Sequence, residues 1–369
     1  MSAGPMSVRP TGGGSARGGE ADAVTVIVVN HNGGPHLPRC LHCLADQRLL
    51  PARIVVVDNA SADGSADAAR RQAAADDRLA GRVVVREMAE NIGFAAANNR
   101  AVATCDTELV ALLNPDAFPE PGWLEALVTA ARRHPEAAAF GSRQLLAGSD
   151  DLLDGIGDVY HVSGLSWREG HGCRPTPADC EDADIFSPCA AAALYRRTAF
   201  EEVGGFDETF FCYFEDVDLG FRLRLAGYGS RYVSGAIVRH VGGGVSGGDR
   251  SDFAVYHGHR NLVWCFVKNM PQPLFALLLI AHFLQSILVL AVSVTRGQFR
   301  TIARAKWHAV IGLPKCWHTR QIVQRRRRAT AWSIWRSLDA SLVRRSCRPN
   351  RRTGSRSPSS SSTTTPTTC

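Results

Sequence analysis

The chain has 369 residues, 45% of them apolar, and a formal net charge of +7. That apolar content supports one large folded domain or two ordinary ones and excludes a wholly disordered chain. The charge is split: residues 271–369 hold 17 Lys and Arg against the single acid Asp339, while residues 1–270 hold 25 bases against 34 acids. An acidic body with a basic tail suits an anionic surface, and the apolar run beside the tail favours a membrane over nucleic acid. The eleven cysteines have no regular metal spacing. The Cys40-Cys43 pair sits in an amphipathic helical pattern, so the cysteines are read as free, buried apolar side chains in a reducing compartment.

Residues 1–23 are rich in Gly, Ser and Pro, lack the apolar run of a secretory signal, and are expected to be disordered. "VTVIVV" at 24–29 is a β-branched run of the kind buried on both faces of a parallel sheet. A helical pattern covers 37–47, and "IVVV" at 54–57 predicts a second buried strand ending on Asp58 and Asn59. After the cap-rich loop "NASADGS" come an Ala/Arg-rich helix, a short strand at 83–86, "ENIGFAAANN" opening another helix, and a strand at 108–113 followed by "NPDAFPEPG". This strand–helix alternation predicts an α/β fold with polar clusters at the strand C-terminal ends, where such sheets bind ligands. No GxGxxG follows the first strand and there is no GxxxxGK, so the dinucleotide and P-loop readings lose their fingerprints.

Residues 145–183 read as irregular with short strands, and 190–195 as either a strand or a buried helix. In "FFCYFEDVDLGFRLR", Glu215 or Asp216 opens a helix that ends at Gly227. Asp218 reads as a partner of the helix dipole. One acid beside the aromatic wall is left over, and burying a carboxylate calls for a pairing, a metal or a chemical task.

For a nucleoside-diphosphate ligand, Asp58 is placed to accept hydrogen bonds from base or ribose. Asp116 is placed to hold a divalent cation, because Mg²⁺ typically takes only one or two protein carboxylates with phosphate oxygens and water. Asp216 or Glu215 is placed to deprotonate an attacking hydroxyl, and His240 to be a metal or phosphate ligand. Asn30, Asn59, Asn91, Gly93, Phe94, Asn98 and Asn114 complete the candidate substrate-binding set.

In order, "IVVVDNASADGS", "ENIGFAAANNRAV", "LVALLNPDAFPEPGWL" and "GGFDETFFCYFEDVDLGFRLRLAGY" resemble the family 2 glycosyltransferases, in particular the bacterial rhamnosyltransferase-like branch. The resemblance covers roughly residues 24–270. It implies a GT-A fold with a mixed central sheet. It also implies inverting transfer from a nucleotide-activated sugar, with dTDP-rhamnose one candidate donor, to a cell-wall or surface glycan acceptor, and a divalent metal, Mg²⁺ or Mn²⁺. Asp58 maps to the nucleoside contact, Asp116 to the metal motif, Asp216 to the general base with Glu215 beside it, and His240 to a histidine near the metal. The usual D-x-D reads Asn114-Pro115-Asp116, so its first carboxylate is absent.

Residues 274–294 form a 21-residue apolar run, long enough to span a bilayer. A single span would place the acidic body and the basic tail on opposite sides, against the positive-inside rule. An interfacial segment keeps both on one side. The expected organisation is thus a disordered segment (1–23), a GT-A domain (24–270), an apolar and basic membrane-associated helical region (271–345) and a disordered low-complexity tail (346–369). The expected location is the cytoplasmic face of a bacterial plasma membrane, beside a lipid-linked saccharide acceptor and with no nucleic-acid partner. Two other readings are a nucleotidyltransferase, which would want a basic Gly-rich loop near the N-terminus, and a non-enzymatic nucleic-acid- or membrane-binding protein.

Overall fold

The computed structural model describes residues 23–149, 151–242 and 251–341. The two segments expected to be disordered, through residue 22 and over 346–369, lie outside the described residues. The first half alternates strand and helix: β1 (Val24–Asn30), α1 (His36–Ala45), β2 (Arg53–Asp58), α2 (Ser65–Ala75), β3 (Val83–Glu87), α3 (Gly93–Val102) and β4 (Leu109–Leu113). Then come β5 (Ala117–Pro119), α4 (Trp123–Arg133), β6 (Ala137–Leu146), and short strands β7 (Leu153–Gly155), β8 (Asp158–Tyr160), β9 (Ser166–Arg168) and β10 (Ala183–Asp184). The chain continues through β11 (Ala192–Arg196), α5 (Arg197–Glu202), α6 (Glu215–Leu225), β12 (Gly229–His240) and α7 (Asp252–Asn269). Helices α8 (Leu274–Thr295), α9 (Phe299–Ile311), α10 (Leu313–Arg325) and α11 (Ala331–Ser337) follow.

The main sheet runs β10-β12-β6-β11-β4-β1-β2-β3, with β5 on β12 and β7 on β6. Strands β3, β2, β1 and β4 are parallel, whereas β11 is antiparallel to both β4 and β6, so the sheet is mixed. Every residue of β1 is buried. Val24, Val26 and Val28 face α1 and α4, while Ile27 and Val29 face α3 and α6, which is why the run is continuously apolar rather than alternating. The segment 190–195, open between strand and helix on sequence, is the strand β11, fixed by two neighbours that satisfy its backbone.

Register brings the polar strand ends together. Asn30 pairs with Asp58, and β4 ends beside β1 with Leu113 opposite Val28. His240, at the end of β12, lies opposite Ala117 of β5, next to Asp116.

Helix α7 packs on α6, α9 and α10. Its Lys268 is 1% exposed and lies 2.5 Å from Asp207 and 2.8 Å from Asp218. Asp218 is itself fully buried, is bonded to Arg222 and accepts from Asn269 Nδ2 at 2.7 Å. It lies in the first turn of α6, where the sequence reading made it a dipole partner, and it is also the centre of a buried ion network: Arg222 of α6 and Lys268 of α7 supply its cations and Asn269 of α7 an amide. Lys268→Met leaves Asp207 without its buried cation and Asp218 with Arg222 alone, and is expected to cost about 3–5 kcal/mol in a urea-unfolding measurement. A loss under about 1 kcal/mol would show that the network is not a stabilising contact.

The cysteine expectation holds in part. Cys40, Cys43, Cys105, Cys189, Cys212, Cys265 and Cys316 are free, but Cys173 and Cys180 are disulfide-bonded. Spacing alone did not reveal that these two differ from the rest.

Candidate active site

A cleft of about 880 Å³ opens at the C-terminal ends of the parallel strands. Asn59, Asn91, Gly93, Phe94, Asn114, Asp116, Glu215, Asp216 and His240 all line it. At one end, Asn59 Nδ2 donates to Asn91 Oδ1 (2.8 Å), and Asn59 Oδ1 accepts from the Ile92 amide (3.0 Å). Gly93 opens α3 at φ +85°, and a Cβ there would stand 2.6 Å from the Phe211 ring, so only glycine fits.

Three predicted residues sit elsewhere. Asn30 is fully buried and donates through Nδ2 to Asp58 Oδ1 (2.7 Å) and Ser65 Oγ (2.8 Å). Asp58 is 3% exposed and accepts from Asn30 and from the Ser61 amide (3.0 Å), so its carboxylate braces the loop behind the cleft wall. Asn98 lies inside α3, buried, with Nδ2 donating to the Phe94 carbonyl at 2.9 Å. The helix turns Asn98 into the protein, so it shapes α3 rather than facing a ligand.

Asp116 and His240 form the polar centre of the cleft. His240 is 4% exposed, with Nε2 3.4 Å from Asp116 Oδ1 and Nδ1 2.8 Å from Asp154 Oδ2. Burial opposes its charge, but hydrogen bonds to Asp116 and Asp154 outweigh this and hold its pKa up at about 9. Burial likewise works against the Asp116 carboxylate, and the His240 contact keeps it below the usual range. Asp154 also meets Arg168 and His171, and despite burial these cations hold it far below its ordinary value. Asp154, Arg168 and His171 line the cleft as well, and sequence reasoning missed them because the strands that carry Asp154 and Arg168 are three residues long and show no periodicity. The charged and glycine-rich "DLLDGIGD" and "WREGHG" were the available signal.

Among the described residues no group of three or more His, Cys, Asp and Glu side chains is arranged to hold a metal alone. Asp116 and His240 nevertheless fit a cation that completes its shell with substrate oxygens. They offer one carboxylate from the turn before β5 and one imidazole from the end of β12, and Asp154 on Nδ1 orients the ring so that Nε2 faces Asp116.

Opposite stands the loop before α6. Phe211 (φ 64°, ψ −61°) with the Cys212 amide donating to the Phe210 carbonyl at 2.7 Å is a γ-turn of the rare, strained hand. Tyr213 (φ 67°) and Phe214 (φ 71°) follow in the left-handed region. Each such residue costs about 1–3 kcal/mol, a strain that persists where a site over-determines it. No side chain caps α6. Instead Asp216 accepts from the Ala190 amide (3.1 Å) and the Val217 amide (2.8 Å), which fixes its carboxylate at the cleft wall. Glu215 differs. Burial first, then the neighbouring Asp216 charge, push it well above the ordinary carboxylate range, and its Oε2 has no hydrogen-bond partner. Asp158, fully enclosed beside Asp216, is raised for the same two reasons. Two buried acids with raised pKa thus stand near Asp216.

Residues 25–204 match the profile of glycosyl transferase family 2. The chain is 31% identical over 258 residues to the N-acetylglucosaminyl-diphospho-decaprenol L-rhamnosyltransferase of Mycobacterium tuberculosis, an alignment that spans 64% of this chain and 82% of that protein. The chain belongs to glycosyl transferase family 2. The O-antigen chain rhamnosyltransferase RfbN of Salmonella typhimurium is 26% identical to this glycosyltransferase over 220 residues, covering 59% of this chain and 66% of RfbN. Rhamnosyltransferases therefore stand among its relatives. Its fold is similar to that of GalNAc-T7, crystallised with UDP, GalNAc and Mn²⁺, at a TM-score of 0.54 and 15% identity over 68% of this chain and 48% of that one. The mixed sheet of this glycosyltransferase is thus the GT-A fold.

Proposed function

We propose that this glycosyltransferase moves a sugar, rhamnose first among the candidates, from a nucleoside-diphosphate donor to a hydroxyl of a lipid-linked cell-wall or surface glycan precursor, with inversion. The observation that carries this reading is one cleft with an Asp116-His240 pair on one wall and the fixed Asp216 carboxylate on the other. The relatives' names supply the rhamnosyl donor and, for the mycobacterial protein, the lipid-diphosphate acceptor.

Asp216 takes the proton of the acceptor hydroxyl as its oxygen attacks the anomeric carbon. The bond from that carbon to the diphosphate oxygen breaks, and the diphosphate leaves with the electron pair. Glu215 is not given the role of base: its carboxyl is buried with Oε2 unpartnered, whereas two backbone amides fix Asp216 at the cleft wall. Asn59 and Asn91 shape the nucleotide end. Asp116 and His240 would hold Mg²⁺ or Mn²⁺, which when bound offsets the charge of the leaving diphosphate.

The test is a donor screen. Purified protein is given UDP-, dTDP- and GDP-sugars with Mg²⁺ or Mn²⁺, and release of nucleoside diphosphate is read by mass spectrometry. Metal-dependent turnover of one donor is expected; no binding of any nucleotide sugar would overturn the reading.

The same reading places residues 271–345 on the cytoplasmic face of the membrane. Helix α8 is 22 residues long and apolar enough to cross a bilayer, yet it is seated on the protein through its polar side. His282 stacks on Phe266 at 4.1 Å and meets the Ser163 carbonyl at 2.9 Å, while Gln285 and Ser293 are buried. Leu277, Ile280, Phe283, Leu284 and Leu288 point outward. This inside-out arrangement, beside an Arg-rich flank, suits a helix lying in one leaflet. The protein is expected to float with vesicles containing phosphatidylglycerol, and Leu284→Glu with Leu288→Glu to stay at the bottom of the gradient. Equal flotation of both proteins would remove α8 as the contact.

A further inference from the structure

Asn261, on α7, is completely buried and directs its side chain at the loop before α6. Its Nδ2 donates to the carbonyls of Phe210 (3.0 Å), Cys212 (3.0 Å) and Tyr213 (2.7 Å). An amide NH₂ has two hydrogens, so one is shared between two of these acceptors. The Asn261 Oδ1 accepts from Arg260 Nε at 2.9 Å, which fixes the amide's orientation. Arg260 in turn donates to the carbonyls of Thr209 (3.2 Å) and Phe210 (3.0 Å), and its guanidinium lies 4.5 Å from the centre of the Trp264 ring. On the other side the loop leans on α3, where the Ala95 amide donates to the Phe211 carbonyl at 3.2 Å.

The carbonyls that Asn261 gathers bracket the γ-turn at Phe211 and the left-handed pair Tyr213-Phe214. A chain of non-glycine residues does not hold these conformations unaided. Two residues past Phe214 is Asp216. We infer that Asn261, held by Arg260, is a positioning residue that locks the strained 210–214 loop and so sets the place of the Asp216 carboxylate. The inference rests on the reading of Asp216 as the general base. It assigns α7 a task in the chemistry, although α7 contributes neither Asp116, His240 nor Asp216. Displacing a reacting group by about 1 Å costs on the order of 10²-fold in rate, which sets the expected effect.

Asn261→Ala, Asn261→Ser and Asp216→Asn are compared in the full-length protein with the nucleotide sugar that the donor screen turns over, dTDP-rhamnose being tried first. Nucleoside diphosphate release gives kcat and donor KM, and calorimetry gives the Kd of the nucleoside diphosphate with Mn²⁺. Asn261→Ala is expected to lower kcat about 10²-fold while KM and Kd move less than about two-fold. Asn261→Ser, which keeps one donor, is expected to fall between, and it serves as the test if the alanine variant does not fold. A kcat within about three-fold of wild type overturns the inference, as does a loss of kcat matched by an equal loss of Kd, which a merely structural role would give. If Asp216→Asn abolishes turnover and Asn261→Ala does not, the positioning role alone falls. If Asp216→Asn turns over normally, the base assignment falls and takes the positioning role with it.

Discussion

Asp216→Asn is expected to lower turnover by about 10³-fold, within the range that one positioned general base contributes, while leaving the Kd for nucleoside diphosphate with metal within about two-fold. The substitution keeps volume and one acceptor oxygen, so Val217 or Ala190 retains its partner. What is lost is the ability to accept a proton. Neither neighbour replaces it. Glu215 and Asp158 are buried, and burial first and the Asp216 charge second raise their pKa. Removing that charge lifts the second cause, and burial, the first cause for both, remains. Rapid-quench measurement of nucleoside diphosphate formation separates this loss of chemistry from slow product release. A fall of less than ten-fold would mean that another group takes the proton.

The second large effect is expected at Asp116. Asp116→Ala should weaken metal-dependent binding of nucleoside diphosphate by about 10²-fold or more, read by calorimetry with and without Mn²⁺. Asn114 stands where the family motif more often carries a carboxylate, so no second acid of that motif takes over. His240 alone is then left, without the carboxylate that faces its Nε2. Asp154→Asn should give a smaller loss, about 10- to 100-fold, because it acts on the metal through His240. Binding that is equally tight with and without metal, and unchanged in Asp116→Ala, would remove the metal from this site.

The nucleotide-side half of the fold was legible because its signal is local. A run such as "VTVIVV" can be buried on both faces only within a layered sheet, and the polar residues that end the strands must then collect at one edge. What could not be read is what depends on pairing distant segments. That His240 stands near Asp116 was expected from the family resemblance and not from any local pattern, because it depends on the pairing of β12 with β5. Asp154 and Arg168 lie on three-residue strands, too short to show a period of two. Asp218 read only as a helix-dipole partner because position within α6 was the only information available, whereas its partners Lys268 and Asn269 come from α7. Asn98 and Asn59 are the same residue type in similar polar clusters, yet only Asn59 lines the cleft. A helix shows its side chains to both sides, and sequence does not say which side the ligand occupies. The apolar run of α8 was plain from composition, but that His282, Gln285 and Ser293 seat it on the protein was not.

The most direct test of the central claim is the stereochemistry of the product. Transfer by a single displacement, with Asp216 taking the acceptor proton and no covalent sugar–enzyme bond, requires that the anomeric configuration of the transferred sugar be opposite to that in the donor. With the donor identified and an acceptor hydroxyl or water as the nucleophile, nuclear magnetic resonance read before mutarotation reports that configuration. Inversion is the predicted result; retention would contradict the single displacement and the role given to Asp216.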